Sequence, residues 1–309
     1  ASPGPMRLPF FDTLLACKLP APGRIKLAPM LSQTGKLKGD MTCFNWGAGE
    51  FWLMGSYYLR AFHKRWFESH ATGDVRIEDI SDSYAGFSIS GPKARDILAK
   101  LAEVDLATLR MMHCDTLDIG LHRLRAGRLS LSGELAFELH CHASEHAQVR
   151  QLLLNAGADD GLKEIGFSAM FSMRLEKGIG IWSAEFTQGY TPAMTGLDRW
   201  IDWDKGDFIG RNAARNAPAP ARILAMLEVD VTDADPSGFE PVYRGDQRVG
   251  ITTSGAYGHR TGRSLAMALL DADHTQLGTP LHVDVVGERR PATVIEISPY
   301  DPSGMKMRA

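Results

Sequence analysis

Three short stretches carry side chains able to move protons or hold charged groups, and each also has an ordinary structural explanation. In GRIKLAPMLSQTGKLKGDMTCF (23–44), Asp40 follows Gly39 and opens an apolar strand. An aspartate in that position is commonly a turn residue bonded to nearby backbone N–H groups. Beside a reacting group it would serve instead as an acid or base. In LSGELAFEL (131–139), Glu134 sits next to Gly133 at a strand break, and Glu138 shares its face. A solvent-facing strand carboxylate is the plain alternative there. In FSMRLEKGIGIW (171–182), Arg174 lies on a helix, where a surface ion pair with Glu176 or a neighbour would account for it.

Other patterns are weaker. Gly47-Ala48-Gly49 opens like a dinucleotide loop, but Trp52 stands where the third glycine belongs. Gly178 and Gly180 also lack the rest of that motif, so no flavin or nicotinamide fingerprint is expected. His140, Cys141, His142 and His146 form a small cluster. On a strand, His140 and His142 share one face while Cys141 points away. Solvated strand-edge histidines explain this better than a metal site. Cys17, Cys43, Cys114 and Cys141 form no CxxC pair and match no zinc spacing.

The elements that must position these residues follow from periodicity and turn signals. Phe10–Cys17 reads as a short helix stopped by Pro20 and Pro22. Residues 24–31 and 40–46 read as strands with Gly35 marking the turn, and FWLMG (51–55) as a buried strand. Leu59, Phe62, Trp66 and Phe67 give Tyr57–His70 a helical spacing. FSISGPKARDILAKL predicts a strand, a turn at Gly91-Pro92 and a helix. LRAGRLSLSGELAFELHC (124–141) predicts two strands broken at Ser132-Gly133, followed by helices at about 145–156 and 166–177. Gly178 is a C-terminal helix signal, and 179–203 is irregular and aromatic-rich. Asn216–Ala221 (NAPAPA) reads as a linker. Beyond it, strands near 223–229, 248–253, 264–270, 281–286 and 291–298 suggest a small β-barrel or sandwich. No internal repeat or low-complexity tract is evident.

Bulk properties narrow the function classes. The 309 residues, with 44% hydrophobic and 23% charged, describe an ordinary globular chain able to bury a sizeable core. The formal net charge of −3, with scattered Lys and Arg, argues against a nucleic-acid partner. No apolar run of about 18 residues predicts a membrane span. No signal peptide is visible. Cysteine usage suggests a reducing compartment, so a cytoplasmic location is expected. The opening ASPGP before Met6 is unusual for a natural start.

Taken together, residues 23–44, 131–139, 171–210 and 240–302 resemble the glycine-cleavage T-protein (aminomethyltransferase) superfamily. Within it they are most similar to the folate-binding half of dimethylglycine and sarcosine dehydrogenase-type flavoproteins. The phrases that carry the likeness are GRI…ML…GKLKGDMT, SISGPKARDIL, SGELAFEL, MRLEKGIGIW, YTP…GLDRW, DKGDFIGR, EPV, VGITTSGAYGH and YDPSGMKMR, in family order. The resemblance implies an α+β aminomethyltransferase-like folate-binding fold over 1–216 and a C-terminal β-barrel domain over 217–309. It implies tetrahydrofolate as cofactor, with FAD only in a separate or missing domain.

By the same resemblance Asp40 is the catalytic aspartate. Thr42, Gly55, Glu134, Arg174, Trp182 and Tyr190 fall at cofactor-binding positions. Glu134 would hold the pterin, whose amino group and ring N–H suit two carboxylate oxygens. Arg174 would lie near the folate, whose glutamate carboxylates suit a guanidinium. Asp40 would serve the proton transfers as the one-carbon unit of an oxidised N-methyl group passes to tetrahydrofolate, giving 5,10-methylenetetrahydrofolate. It would also stabilise an iminium by charge. The implied partners are a small methylated amine or iminium and a flavin-binding domain or subunit.

The chain departs from the family pattern in places. TPxExGL appears as TPAMTGL, with Met194 replacing a carboxylate, and Ala136 replaces a glycine. The family's N-terminal strand before FFDTLLAC and the flavin domain are both expected to be missing, so the chain would be a fragment or the partner of a separate subunit. Two alternatives stay open: a stand-alone folate-dependent demethylase, or a non-catalytic folate-binding or interaction module. The iron–sulfur branch of the superfamily is set aside, because its KGCxxGQE cysteine is absent after Lys177.

Overall fold

A computed structural model of the chain describes residues 9–309; the ASPGP opening and Met6 lie outside the described residues. The chain divides into two compact units. One runs to Asp82 and resumes over Phe186–Pro220; the other comprises Ser83–Glu185 and Ala221–Ala309.

The first unit opens with α1 (Pro9–Leu14), shorter than the expected helix. It continues through β1 (Arg24–Leu31), β2 (Leu37–Gly47) and β3 (Glu50–Met54), an antiparallel sheet in the order β1-β2-β3. The alternation along β2 decides what faces where. Leu37, Gly39, Met41 and Cys43 are buried, while Lys38, Asp40 and Thr42 are half-buried. With a period of two, the first set must share one face and the second set the other. The core behind the first face gathers Phe10, Leu14, Leu15, Ala28, Met30, Met41, Cys43 and Phe67. Phe67 belongs to α2 (Arg60–His70), entered through a short 3-10 turn over Tyr57–Leu59. One expectation needs correction. FWLMG is a strand only as far as Met54, its strand residues half-buried and Gly55 exposed just past its end. Gly47-Ala48-Gly49 is the β2–β3 hairpin turn, all three at positive φ, with no helix after it. A dinucleotide loop needs that helix N-terminus for the phosphate.

The second unit begins with β4 (Tyr84–Ser90), α3 (Ala94–Ala99), β5 (Cys114–Ile119), β6 (His122–Gly127) and β7 (Ala136–His142). These strands form an antiparallel sheet ordered β4-β7-β6-β5. Its inner face, with Phe137, Leu139 and Cys141, packs on α3 and α4 (His146–Gly157) through Leu98, Val149 and Leu153. Next comes α5 (Phe167–Glu176), closed by Gly178 at φ +70° as the sequence predicts. Before the barrel the chain revisits the first unit through two short helices, α6 (Pro192–Thr195) and α7 (Arg211–Arg215).

The C-terminal part is a closed six-stranded barrel ordered β10-β11-β8-β13-β12-β9. Its strands are β8 (Arg222–Val229), β9 (Pro241–Arg244), β10 (Gln247–Gly258), β11 (Arg263–Asp271), β12 (Pro280–Val285) and β13 (Glu288–Ile295). Ala, Val and Leu fill the interior, among them Ala225, Leu227, Val242, Ala266, Leu281 and Val294. Side chains of that size suit a narrow barrel. The outward faces of β8 and β11 carry Met226, Leu265 and Met267, which meet Leu175 of α5. A final short helix, α8 (Met305–Arg308), ends the chain. Closure rests on β9, which the sequence reading missed: it has four residues and begins at a proline, poor signals for a strand.

Candidate functional site

Asp40, Thr42, Gly55 and Tyr190 lie in the first unit; Glu134, Arg174 and Trp182 lie in the second. Asp40 stands mid-strand, paired with Pro29 of β1. It is therefore not the turn residue that its Gly39 neighbour suggests. Burial pushes its carboxyl up to about 6, with a backbone hydrogen bond pulling the other way. At neutral pH such a group is mostly ionised yet close to its midpoint, the range where a side chain both takes and returns a proton. Thr42 follows on the same face, paired with Leu27 and Met54. Gly55 comes next after Met54. A Cβ there would stand 2.5 Å from the Met41 sulfur, so a larger residue would have to displace the end of that side chain. The Tyr190 carbonyl accepts a hydrogen bond from the Leu37 N–H at 2.8 Å, three residues before Asp40. Met194 is half-buried on α6.

Glu134 lies in the β6–β7 connection, two residues before β7 begins, so it is not a strand residue. Its Oε1 accepts hydrogen bonds from Arg260 Nη1 at 3.1 Å and from the Tyr300 hydroxyl. Both fall on the same oxygen. Among the described residues Oε2 takes none. Arg260 is itself fixed at three further points. Its Nε donates to Glu176 Oε2 at 2.7 Å, its backbone N–H to Glu176 Oε1 at 2.8 Å, and its Nη2 to the Met173 carbonyl at 2.9 Å. Its guanidinium also lies 3.7 Å over the Tyr300 ring. Glu176 is fully buried at 0% exposure, so this anchor excludes water. Neither Arg260 nor Tyr300 stands out in the sequence, although both lie in or beside the family-like phrases VGITTSGAYGH and YDPSGMKMR.

Arg174 is not the surface ion pair considered above. At 1% exposure it is among the most deeply buried side chains of the chain. Its Nη1 donates to Glu185 Oε2 at 2.8 Å and to the Ile179 carbonyl at 3.1 Å, and its Nη2 to Ser254 Oγ at 2.6 Å. Glu185 also accepts from Thr253, Ser254 and the Ile181 N–H. The guanidinium sits 3.9 Å from the Phe171 ring. Such a pair is stable only because nearly every polar atom is matched. Glu176, the expected partner, serves Arg260 instead. Trp182 is half-buried and precedes Ser183, a non-glycine residue at φ +75°.

The histidine cluster differs from expectation. β7 is paired on both sides, by β4 and β6, so it has no free edge. His140 is buried at 7% exposure, and burial pulls its ring down to about 4. Glu138, also on the outer face, is pushed up to about 7 by burial. Between those values both groups are neutral, which explains a 3.9 Å approach without a strong ion pair. Among the described residues no group of three His, Cys, Asp or Glu side chains is placed to hold a metal ion. All four cysteines are buried. No helix of the described residues is long and apolar enough to cross a membrane.

This mixed helix-and-sheet unit followed by a six-stranded barrel is the architecture of an aminomethyltransferase. The chain belongs to the glycine cleavage T-protein family: residues 3–205 match the GCVT N-terminal domain, and residues 222–301 the glycine cleavage T-protein C-terminal barrel domain. The family is one of folate-dependent aminomethyl transferases. The chain is 31% identical to the aminomethyltransferase of Saccharopolyspora erythraea over 90% of its own length and 77% of that protein. It is 31% identical to the mitochondrial dimethylglycine dehydrogenase of Rattus norvegicus and 30% identical to the human one, over 92% of its length. It spans about a third (34%) of those two dehydrogenases. Its fold matches the glycine cleavage system aminomethyltransferase T of Bartonella henselae with a TM-score of 0.85, covering 97% of this chain and 82% of that one.

Proposed function

We propose that this chain transfers a one-carbon unit to tetrahydrofolate, taken from a methylated amine of the dimethylglycine or sarcosine kind after its oxidation. The donor would come from a flavin-binding domain or subunit. The observation that carries the reading is Asp40: a carboxylate on the half-buried face of β2, held by burial near a pKa of about 6. Kinship with dimethylglycine dehydrogenases supports the choice of donor. The proposed division is a folate-binding domain over 1–216 and a barrel domain over 217–309.

Tetrahydrofolate, when bound, supplies the nucleophilic nitrogens that take up the carbon. Asp40 takes the protons those nitrogens release and returns one to the departing amine, a role that typically contributes ~10²–10⁴-fold. Its negative charge also favours a cationic donor where water is excluded. Glu134 is proposed to hold the pterin. With Oε1 engaged by Arg260 and Tyr300, Oε2 is the oxygen that remains to accept from the ring, so the expected two-oxygen grip becomes a one-oxygen grip. Thr42, Gly55, Trp182 and Tyr190 are proposed as lining residues. Arg174 is proposed as a support, because every Nη bond it makes is internal.

Calorimetric titration of the folded chain with folinic acid tests the reading. One saturable site is expected. Absence of heat at millimolar ligand, in a sample with a cooperative melting transition, would sink it.

A further inference from the structure

A buried histidine on α2, outside every motif of the sequence, meets the β2 backbone beside Asp40. His63 is 2% exposed. Its Nε2 lies 3.1 Å from the backbone carbonyl of Lys38, two residues before Asp40 on β2. A carbonyl only accepts, so Nε2 carries the proton. Burial and the nearby Lys38 charge pull the ring's pKa down and outweigh the opposite pull of that hydrogen bond, so the neutral Nε2–H form is favoured.

Gly39 leaves space for the ring, and Gly55 lies in ordinary contact with it. A Cβ on Gly39 would stand 3.0 Å from His63 Nε2 and 2.8 Å from the Met30 methyl. On Gly55 it would stand 3.6 Å from His63 Nδ1 and 2.5 Å from the Met41 sulfur. The imidazole therefore lies against bare backbone immediately before Asp40 and just after β3. Around it, Phe67 stacks at 6.2 Å and Phe62 tilts at 5.5 Å. The same helix also grips the Lys38 side chain, whose ammonium sits 4.3 Å over Phe62 and 4.4 Å over Trp66. Helix α2 thus holds residue 38 by its carbonyl and by its charge.

We propose that His63 is the positioning residue of Asp40: its ring pins the Lys38–Gly39 backbone and so fixes where the Asp40 carboxyl stands. This rests on the reading of Asp40 as the acid/base group, and it extends that reading to a residue that touches no ligand. A hydrogen bond from a neutral, buried donor keeps its hold across the working pH range, which a charged clamp would not.

The test reads the Asp40 carboxyl directly, without turnover. The full chain is labelled with ¹³C at aspartate side chains, and the Asp40 signal is assigned by its loss in Asp40→Asn. Wild type should titrate near 6. His63→Gln keeps an N–H donor on a side chain of similar reach and should titrate as wild type does. His63→Phe fills the space without a donor, and His63→Asn has a donor too short to reach. In both, the Asp40 midpoint should fall by about one unit or more toward the ordinary value of ~4, as the loosened strand admits water. If the phenylalanine variant does not fold, asparagine against glutamine carries the comparison. Midpoints that stay put in His63→Phe or His63→Asn, or that move equally in His63→Gln, would overturn the inference. A wild-type midpoint near 4 would overturn the reading of Asp40 itself, and this inference with it.

Discussion

At the scale of single residues, Asp40 and Glu134 make contrasting predictions. Glu134 has two protein partners on one oxygen, and among the described residues its other oxygen accepts no hydrogen bond. Glu134→Ala should weaken folinic acid binding by roughly 10–100-fold, the equivalent of a lost charge-assisted hydrogen bond of about 1.5–3 kcal/mol. Glu228→Ala is the control, because Glu228 is a barrel-surface residue whose side chain is 43% exposed. Equal affinities for the two variants, by calorimetry, would contradict the pterin role. Asp40 is tested through pH and stability. Its folded-state pKa is raised from 3.8 to about 6, so the folded protein binds a proton more tightly than the unfolded chain does. The stability this contributes is full below about 4 and is lost as pH rises through 6. Asp40→Asn removes the ionisation, so it should melt above wild type at pH 8, and the gap should close at low pH. A constant gap at all pH values would mean that Asp40 is not desolvated.

At the scale of elements, the buried ion pair of α5 and the turn after it can be broken separately. Arg174→Met leaves Glu185 buried without its cation and should cost about 3–5 kcal/mol in urea unfolding. Adding Glu185→Leu should restore much of that loss, since a well-packed apolar pair replaces a buried ion pair at little net cost. A single variant within about 1 kcal/mol of wild type would contradict the network. Gly178 and Gly49 share a positive φ, +70° and +84°, but differ in space. A Cβ at Gly178 would fall 1.9 Å from the Ile297 carbonyl oxygen, while Gly49 has nothing within 4 Å. Gly49→Ala should therefore cost only the backbone strain of about 1–2 kcal/mol, and Gly178→Ala clearly more, measured by the same denaturation.

How much of this was legible in the sequence depends on how local each signal is. The alternation of β2 and the glycine ending α5 are local, and both read correctly. The face of Asp40 followed once β2 was extended back to Leu37. Arg260 and Tyr300 stand 126 and 166 residues from Glu134, so nothing short of the fold could join them. Arg174 reads as a surface arginine because its shielding partners, Glu185 and Ser254, come from other segments. His63 reads as one more polar residue on a helix. Its place against Gly39 of β2 shows only in three dimensions.

At the scale of the whole molecule, the chain matches both domains of its family but only about a third of the length of the dimethylglycine dehydrogenases it resembles. The donor and the flavin partner are accordingly proposals, while the folate chemistry is testable on this chain by itself. The most direct measurement separates binding from chemistry in Asp40→Asn. Asparagine keeps the size and one carbonyl acceptor but neither the charge nor the basic oxygen. Folinic acid affinity is measured by calorimetry. Alongside it, the initial rate of 5,10-methylenetetrahydrofolate formation is measured with a donor iminium made from formaldehyde and a secondary amine. Low folate is used, where the uncatalysed condensation is slow. The account predicts affinity within a few-fold of wild type and a rate at least ~10²-fold lower, the loss expected for a missing general base. An asparagine variant that binds and turns over like wild type would contradict it.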